Sequence, residues 1–150
     1  MNNAALKTDC TLSEQNEYFS ANLEDGSTFG ALHTELRSDT TPERGDIWVV
    51  IASDPKNGTT KTFTITFPKD SKEGIVKITE GDSDASVFYN DYKDIQNPTF
   101  QLARSGAIQY KLNTENMTFI GSFNAEIDKA DGSETYLCRA HFDTILSLQD

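Results

Sequence analysis

The chain has 150 residues, enough for one domain with a substantial core, and carries 24 acidic against 13 basic side chains, a net charge of −11. That charge is spread along the chain rather than collected in a tail, which argues against nucleic acid and anionic membrane as partners, because both attract Lys/Arg clusters. No apolar run approaches membrane-spanning length.

Residues 1–15 have few apolar side chains and no period, so they are expected to form an N-terminal arm on a single β domain covering residues 1–150. The opening MNNAALKTDC lacks the apolar centre of a signal peptide, and Asp9 is too large and too charged for a lipid-attachment box at Cys10. From Glu17, EYFSANLEDGSTFGALHTEL alternates at Phe19, Ala21 and Leu23, turns at Asp25-Gly26 and continues to Leu36. A polar loop, RSDTTPERG, is expected next. GDIWVVIAS follows, apolar on both sides, which predicts a strand buried on both faces or central in its sheet.

After a Pro-Lys-Asn-Gly turn, KTFTITFP alternates Phe63, Ile65 and Phe67 with threonines, and Pro68 ends the ladder. GIVKIT predicts a short strand with Ile75 paired back on the threonine strand. ASVFYNDYKDIQNPTFQLA reads as one short strand, a long loop and a second short strand at Thr99–Leu102. From Ser105 to Leu146 three alternating runs are separated by NTEN and DKADG. They predict an antiparallel meander with Phe123 near its centre. A sheet cannot bury one face alone, so the rest of the chain must supply a second layer. The nine Phe, five Tyr and one Trp suit such a core. No window carries helical periodicity with caps.

Chemistry-bearing motifs are few. His33 and His141 are the only histidines, and no HExxH or GxSxG pattern is present, so no catalytic residue is assigned. Glu80, Asp82 and Asp84 in EGDSD, and Asp128 with Asp131 in DKADG, are oxygen-rich. Calcium is the one cofactor such loops admit, although hairpin chemistry already accounts for DKADG. Phe88, Tyr89, Asp91 and Tyr92 make an aromatic-and-acid surface suited to a sugar or peptide. The competing reading has the same aromatics pinning a long loop to the core. Cys10 and Cys138 stand near opposite ends and predict one disulfide in an oxidising compartment, against two buried free thiols.

The runs YFSANLEDG and SGAIQYKL…MTFIGSFNAEI…ETYLCRAHFDTIL resemble a group of small exported β-domains of unknown function found in bacterial lipoproteins. The resemblance covers the first hairpin and the last forty or so residues, and departs at Ala140, where the group has Gly. It implies export and a sandwich or flattened barrel, and assigns no catalytic residue. The expected fold is therefore an all-β, mostly antiparallel sandwich or flattened barrel of about 8–10 strands. The expected role is a non-enzymatic binding or interaction protein of the bacterial envelope or extracellular space. The alternatives are an acidic immunity or inhibitor protein that neutralises a basic enzyme, and a small hydrolase. A basic protein is the expected partner.

Overall fold

The structure, a computed structural model, describes residues 18–55, 59–79, 85–92, 96 and 99–149. These residues form eleven strands and no helix. In chain order they are β1 (Tyr18–Asn22), β2 (Thr28–Gly30), β3 (His33–Thr41), β4 (Gly45–Asp54), β5 (Lys61–Pro68) and β6 (Glu73–Thr79). The series continues with β7 (Ser86–Asp91), β8 (Thr99–Asn113), β9 (Thr118–Asp128), β10 (Thr135–Ile145) and β11 (Ser147–Leu148). One sheet runs β11-β3-β4-β5-β7-β8-β9-β10-β1-β2, and β6 joins it by pairing with β8. All named pairings are antiparallel except β11 with β3, so the all-β expectation holds. The strand number exceeds eight to ten because β2 and β11 are only three and two residues long.

The sheet curls into a flattened half-barrel, and β8 is where it bends. Its first residues, Thr99–Asp91 to Leu102–Phe88, pair with β7, and from Ser105 onward it pairs with β6 instead. The change falls at a bulge between Ala103 and Ser105, which leaves Arg104 as the extra residue; bulges bend and twist a strand. Arg104 then clamps Asp128 with two hydrogen bonds, Nε to Oδ1 at 3.0 Å and Nη2 to Oδ2 at 2.8 Å. Beyond the bulge, Gly106 and Gly121 let β8 and β9 approach closely. A Cβ on Gly106 would stand 2.8 Å from the Ala125 Cα, and one on Gly121 2.9 Å from the Tyr110 Cα.

Two chain continuations draw the ends of the curled sheet together. β2 passes through Ala31, whose N–H donates to the Phe19 carbonyl, and Leu32, whose N–H donates to the Ser53 carbonyl, before β3 begins. β10 passes through Leu146, whose N–H donates to the Met117 carbonyl, into β11 beside β3. The Thr34 and Thr144 hydroxyls meet at 2.8 Å, buried between β3 and β10.

Inside, Phe63, Ile65, Phe67, Phe119, Phe123 and Phe142 share one buried cluster, as the period-two pattern predicts. Phe67, Phe119, Phe142 and Phe19 stack in series, with ring centroids 5.9, 4.5 and 5.3 Å apart. Such aromatic pairs add about 0.5–1.5 kcal/mol beyond the area they bury.

Three local expectations are corrected. RSDTTPERG is not a loop: β3 continues to Thr41 and β4 starts at Gly45, so most of it lies in a long hairpin. Arg37, Ser38, Asp39 and Thr40 are all exposed, so this end of the hairpin is solvated on both faces and its composition resembles that of a loop. The run from Thr28 to Leu36 is not one strand but two, split where the chain crosses between neighbours. Ile75 pairs with Gln109 of β8, not with the threonine strand, because β7 takes that edge of β5. The apolar strand β4 does sit between β3 and β5, with Val50, Ala52 and also Ile47 buried.

Candidate functional site

One end of the half-barrel is closed by two turns with the same text, Asp-Gly-Ser. Asp25 Oδ1 accepts from the Ser27 N–H (2.9 Å) and hydroxyl (2.6 Å), and Asp131 Oδ1 accepts from the Ser133 N–H (3.0 Å) and hydroxyl (2.7 Å). This is the local capping that favours Asp in turns. The Ser27 hydroxyl, then its N–H, holds the Asp25 carboxyl below the usual range; the Ser133 N–H, then its hydroxyl, does so for Asp131. Asn22 joins β1 to β10 beside them, its amide donating to the Leu137 carbonyl and accepting from the Arg139 N–H.

Glu24 ties the two turns together. Its Oε1 accepts from the Ala130 N–H at 2.9 Å and from Gln101 Nε2 at 3.1 Å. Gln101, only 3% exposed, also donates to the Asp128 carbonyl at 2.8 Å. Between these groups lies a cavity of about 140 Å³. Tyr89 and Tyr136 form its buried wall, and Glu24, Asp25 and Asp91 surround it, opposed among the described residues by the ammonium of Lys61. Lys61 stands across the sheet from both Asp54 and Asp91.

Burial pushes the Tyr89 and Tyr136 hydroxyls well above the usual tyrosine range, and for Tyr89 the carboxylates of Asp91, Asp25 and Glu24 add to it. Both are neutral phenols at physiological pH. Tyr89 packs on Phe63, ring centroids 4.9 Å apart. The Tyr136 hydroxyl is buried against the Cys138 thiol, and among the described residues no nitrogen or oxygen pairs with it. A buried polar atom left in that state costs about 1–3 kcal/mol. Burial also pushes the Cys138 thiol up to about 12, so it is no nucleophile at neutral pH.

The expected aromatic-and-acid surface is thus divided by the strand that carries it. Tyr89 points inward and, with Asp91, reaches the cavity, whereas Phe88 packs outside against Phe100 at 5.2 Å. Tyr92 stays near the strand end, its N–H donating to the Thr60 carbonyl and its hydroxyl donating to the Asn90 side-chain oxygen at 3.3 Å, while the Asn90 amide donates to the Tyr89 and Thr99 carbonyls. The calcium candidates Glu80, Asp82 and Asp84 lie outside the described residues. Asp128 and Asp131 are engaged by Arg104 and Ser133, and among the described residues no three His, Cys, Asp or Glu cluster as a metal site. Cys138 is a buried free thiol that donates to the Asn22 carbonyl at 3.3 Å; Cys10, its expected disulfide partner, lies outside the described residues. No helix among the described residues is long and apolar enough to cross a membrane.

Glu24, Gln101, Lys61 and Tyr136 were not among the residues singled out by the sequence. The repeated Asp-Gly-Ser text was the available signal, with Gln101 as a polar residue on the inward parity of its strand. Compared with protein-family models, characterised proteins and solved structures, the chain finds no match.

Proposed function

We propose that this protein is a non-enzymatic binding module, exported to a bacterial envelope or beyond it, whose acid-rimmed pocket takes the cationic tip of a basic protein partner. The observation that carries this reading is a cavity walled by Tyr89 and Tyr136 with three carboxylates and, among the described residues, one ammonium at its edge. An alkylammonium or guanidinium entering there would lie against tyrosine faces and offset the negative rim, without contact to the buried Tyr136 hydroxyl. Cation–π contact contributes about 0.5–2 kcal/mol, more as water is excluded. The volume suits a side-chain tip; pockets for whole small-molecule ligands run to about 300–1,000 Å³. The net charge of −11 would steer a basic partner toward the surface over long range. Export is supported by the resemblance of the first hairpin and the final meander to exported β-domains.

Titration of isotope-labelled protein with butylguanidinium, and with an arginine-containing peptide, tests the proposal by NMR. Amide shifts should concentrate at Glu24, Tyr89, Gln101 and Tyr136, saturate, and weaken several-fold as salt rises from about 0.05 to about 0.3 M. Asp91→Asn should weaken binding in the same assay. Shifts that scatter over the acidic surface without saturating would reject the pocket as the site.

A further inference from the structure

The mouth of the pocket holds a cation that a site for a bare cation would be better without. One layer inside the mouth, Ala52, Phe63, Tyr89 and Gln101 stand opposite one another across β4, β5, β7 and β8. Two residues nearer the end of each strand, and so on the same inner face, come Asp54, Lys61, Asp91 and Thr99. Lys61 thus sits between two aspartates at cross-strand spacing, about 4.5–5.5 Å from Cβ to Cβ. Its ammonium nonetheless forms no ion pair among the described residues. The Asp54 carboxylate instead accepts from the Gly30 N–H, with Oδ2 at 3.4 Å. Lys61 is half-buried and lines the cavity. Its charge reaches Asp25, whose carboxyl is lowered chiefly by the Ser27 hydroxyl and N–H.

An ammonium there repels an incoming cation and weakens a pocket built for cations alone. It becomes a binding group when the ligand brings a carboxylate beside its positive charge. On the reading of the cavity as a cation site, we propose that the pocket takes the carboxyl end of a partner chain whose last residue is basic. The side-chain cation lies among Glu24, Asp25 and Asp91, and the terminal carboxylate pairs with Lys61. Gln101 supports this division. Its amide nitrogen donates to Glu24 Oε1 and to the Asp128 carbonyl, and among the described residues no donor reaches its oxygen. That side chain, 3% exposed, lines the cavity and so offers the cation an acceptor. An acidic neighbour within the partner's chain serves less well, since adjacent side chains of an extended segment point to opposite sides. A cavity of about 140 Å³ is also filled by one long side chain. The net charge of −11 works against any carboxylate at long range, so a preference for one can come only from local contact.

NMR titrations of labelled protein with butylguanidinium, Nα-acetylarginine and Nα-acetylarginine amide test this at about 0.15 M salt, where long-range repulsion is largely screened. Nα-acetylarginine should bind about three- to fivefold tighter than its amide, although it carries one more negative charge. In Lys61→Met that preference should vanish or reverse. Butylguanidinium should bind the variant at least as tightly as the wild type, which also shows that the variant is folded and its pocket intact. An acetylated Arg-Glu dipeptide amide, with its carboxylate on a neighbouring side chain, should bind no better than the arginine amide. Wild-type protein that takes up no butylguanidinium at the pocket would overturn the cation site and this proposal with it. Butylguanidinium bound there, with acetylarginine no tighter than its amide, would overturn the chain-end recognition alone. A preference that survives Lys61→Met, or a dipeptide amide that matches acetylarginine, would do the same.

Discussion

Tyr136 shows how a single polar atom can stand apart from the packing of the side chain that carries it. Its ring lies on the inward parity of β10 with Cys138, Ala140 and Phe142, and the ring alone would serve packing. The hydroxyl is what packing does not need, since it is buried with only the Cys138 thiol beside it among the described residues. Tyr136→Phe removes one polar atom at nearly constant volume. The expected outcome is unchanged stability, or a gain of up to about 2 kcal/mol, in urea unfolding. In the guanidinium titration the same variant should bind about as tightly, because the ring face that meets the cation is kept. A loss of stability above about 1 kcal/mol would mean that the hydroxyl does have a partner in the folded protein. The inward direction of Tyr136 is legible in the run TYLCRAHF, because its neighbours at every second position are apolar. Its lack of a nitrogen or oxygen partner among the described residues is not, since that depends on what β1 and β7 bring within reach.

At the scale of the element, β8 and β9 depend on two glycines for their curvature. Gly106 faces Ala125 and Gly121 faces Tyr110, each with the partner backbone where a Cβ would stand. Gly121→Ala or Gly106→Ala should therefore cost roughly 2–4 kcal/mol, from overpacking against the partner backbone added to a positive φ (158° and 139°) that alanine disfavours. Gly132→Ala is the comparison: no atom lies within 4 Å of the added Cβ, but the backbone is left-handed (φ 75°), which costs about 1–2 kcal/mol. Equal losses at Gly121 and Gly132 in chemical denaturation would show that conformation, not close approach, governs the meander. The three strands of this meander are readable from alternation alone, because each has one solvated and one buried face. β6 and the β2–β3 crossing are not. Which edge a short strand joins is set by what the neighbouring strands leave open, and Ile75 is the residue that misleads: apolar, yet 74% exposed.

For the whole molecule, the aromatic core was legible because Phe63, Phe67, Phe119, Phe123 and Phe142 sit on period-two positions that any packed pair of layers would bury. The site was legible only in part. Tyr89 and Asp91 come from one strand, whereas Glu24, Lys61, Gln101 and Tyr136 arrive from four other places in the chain. The distribution of charge makes a final prediction, on the dependence of stability on pH. Lowering pH from 7 toward the isoelectric point near 4.5 reduces self-repulsion among 24 acidic and 13 basic groups, so stability should rise at first. Asp25 and Asp131 act in the opposite sense at lower pH. Their folded-state values lie below the unfolded value of 3.8, so what they contribute is present above 3.8 and is lost as pH falls through the folded values. On the alkaline side the groups are raised. Cys138 contributes fully below its unfolded value of 9.0, and that contribution is lost as pH climbs toward about 12. Tyr89 and Tyr136 behave likewise from pH 10 upward. Urea unfolding across the range should give a maximum on the acid side of neutrality, a decline below 3.8 and a second decline beginning near 9. With Cys138→Ala the decline should begin nearer 10. A maximum at pH 8 or above, or an alkaline limb unmoved by that substitution, would show that net charge and these buried groups do not set the profile.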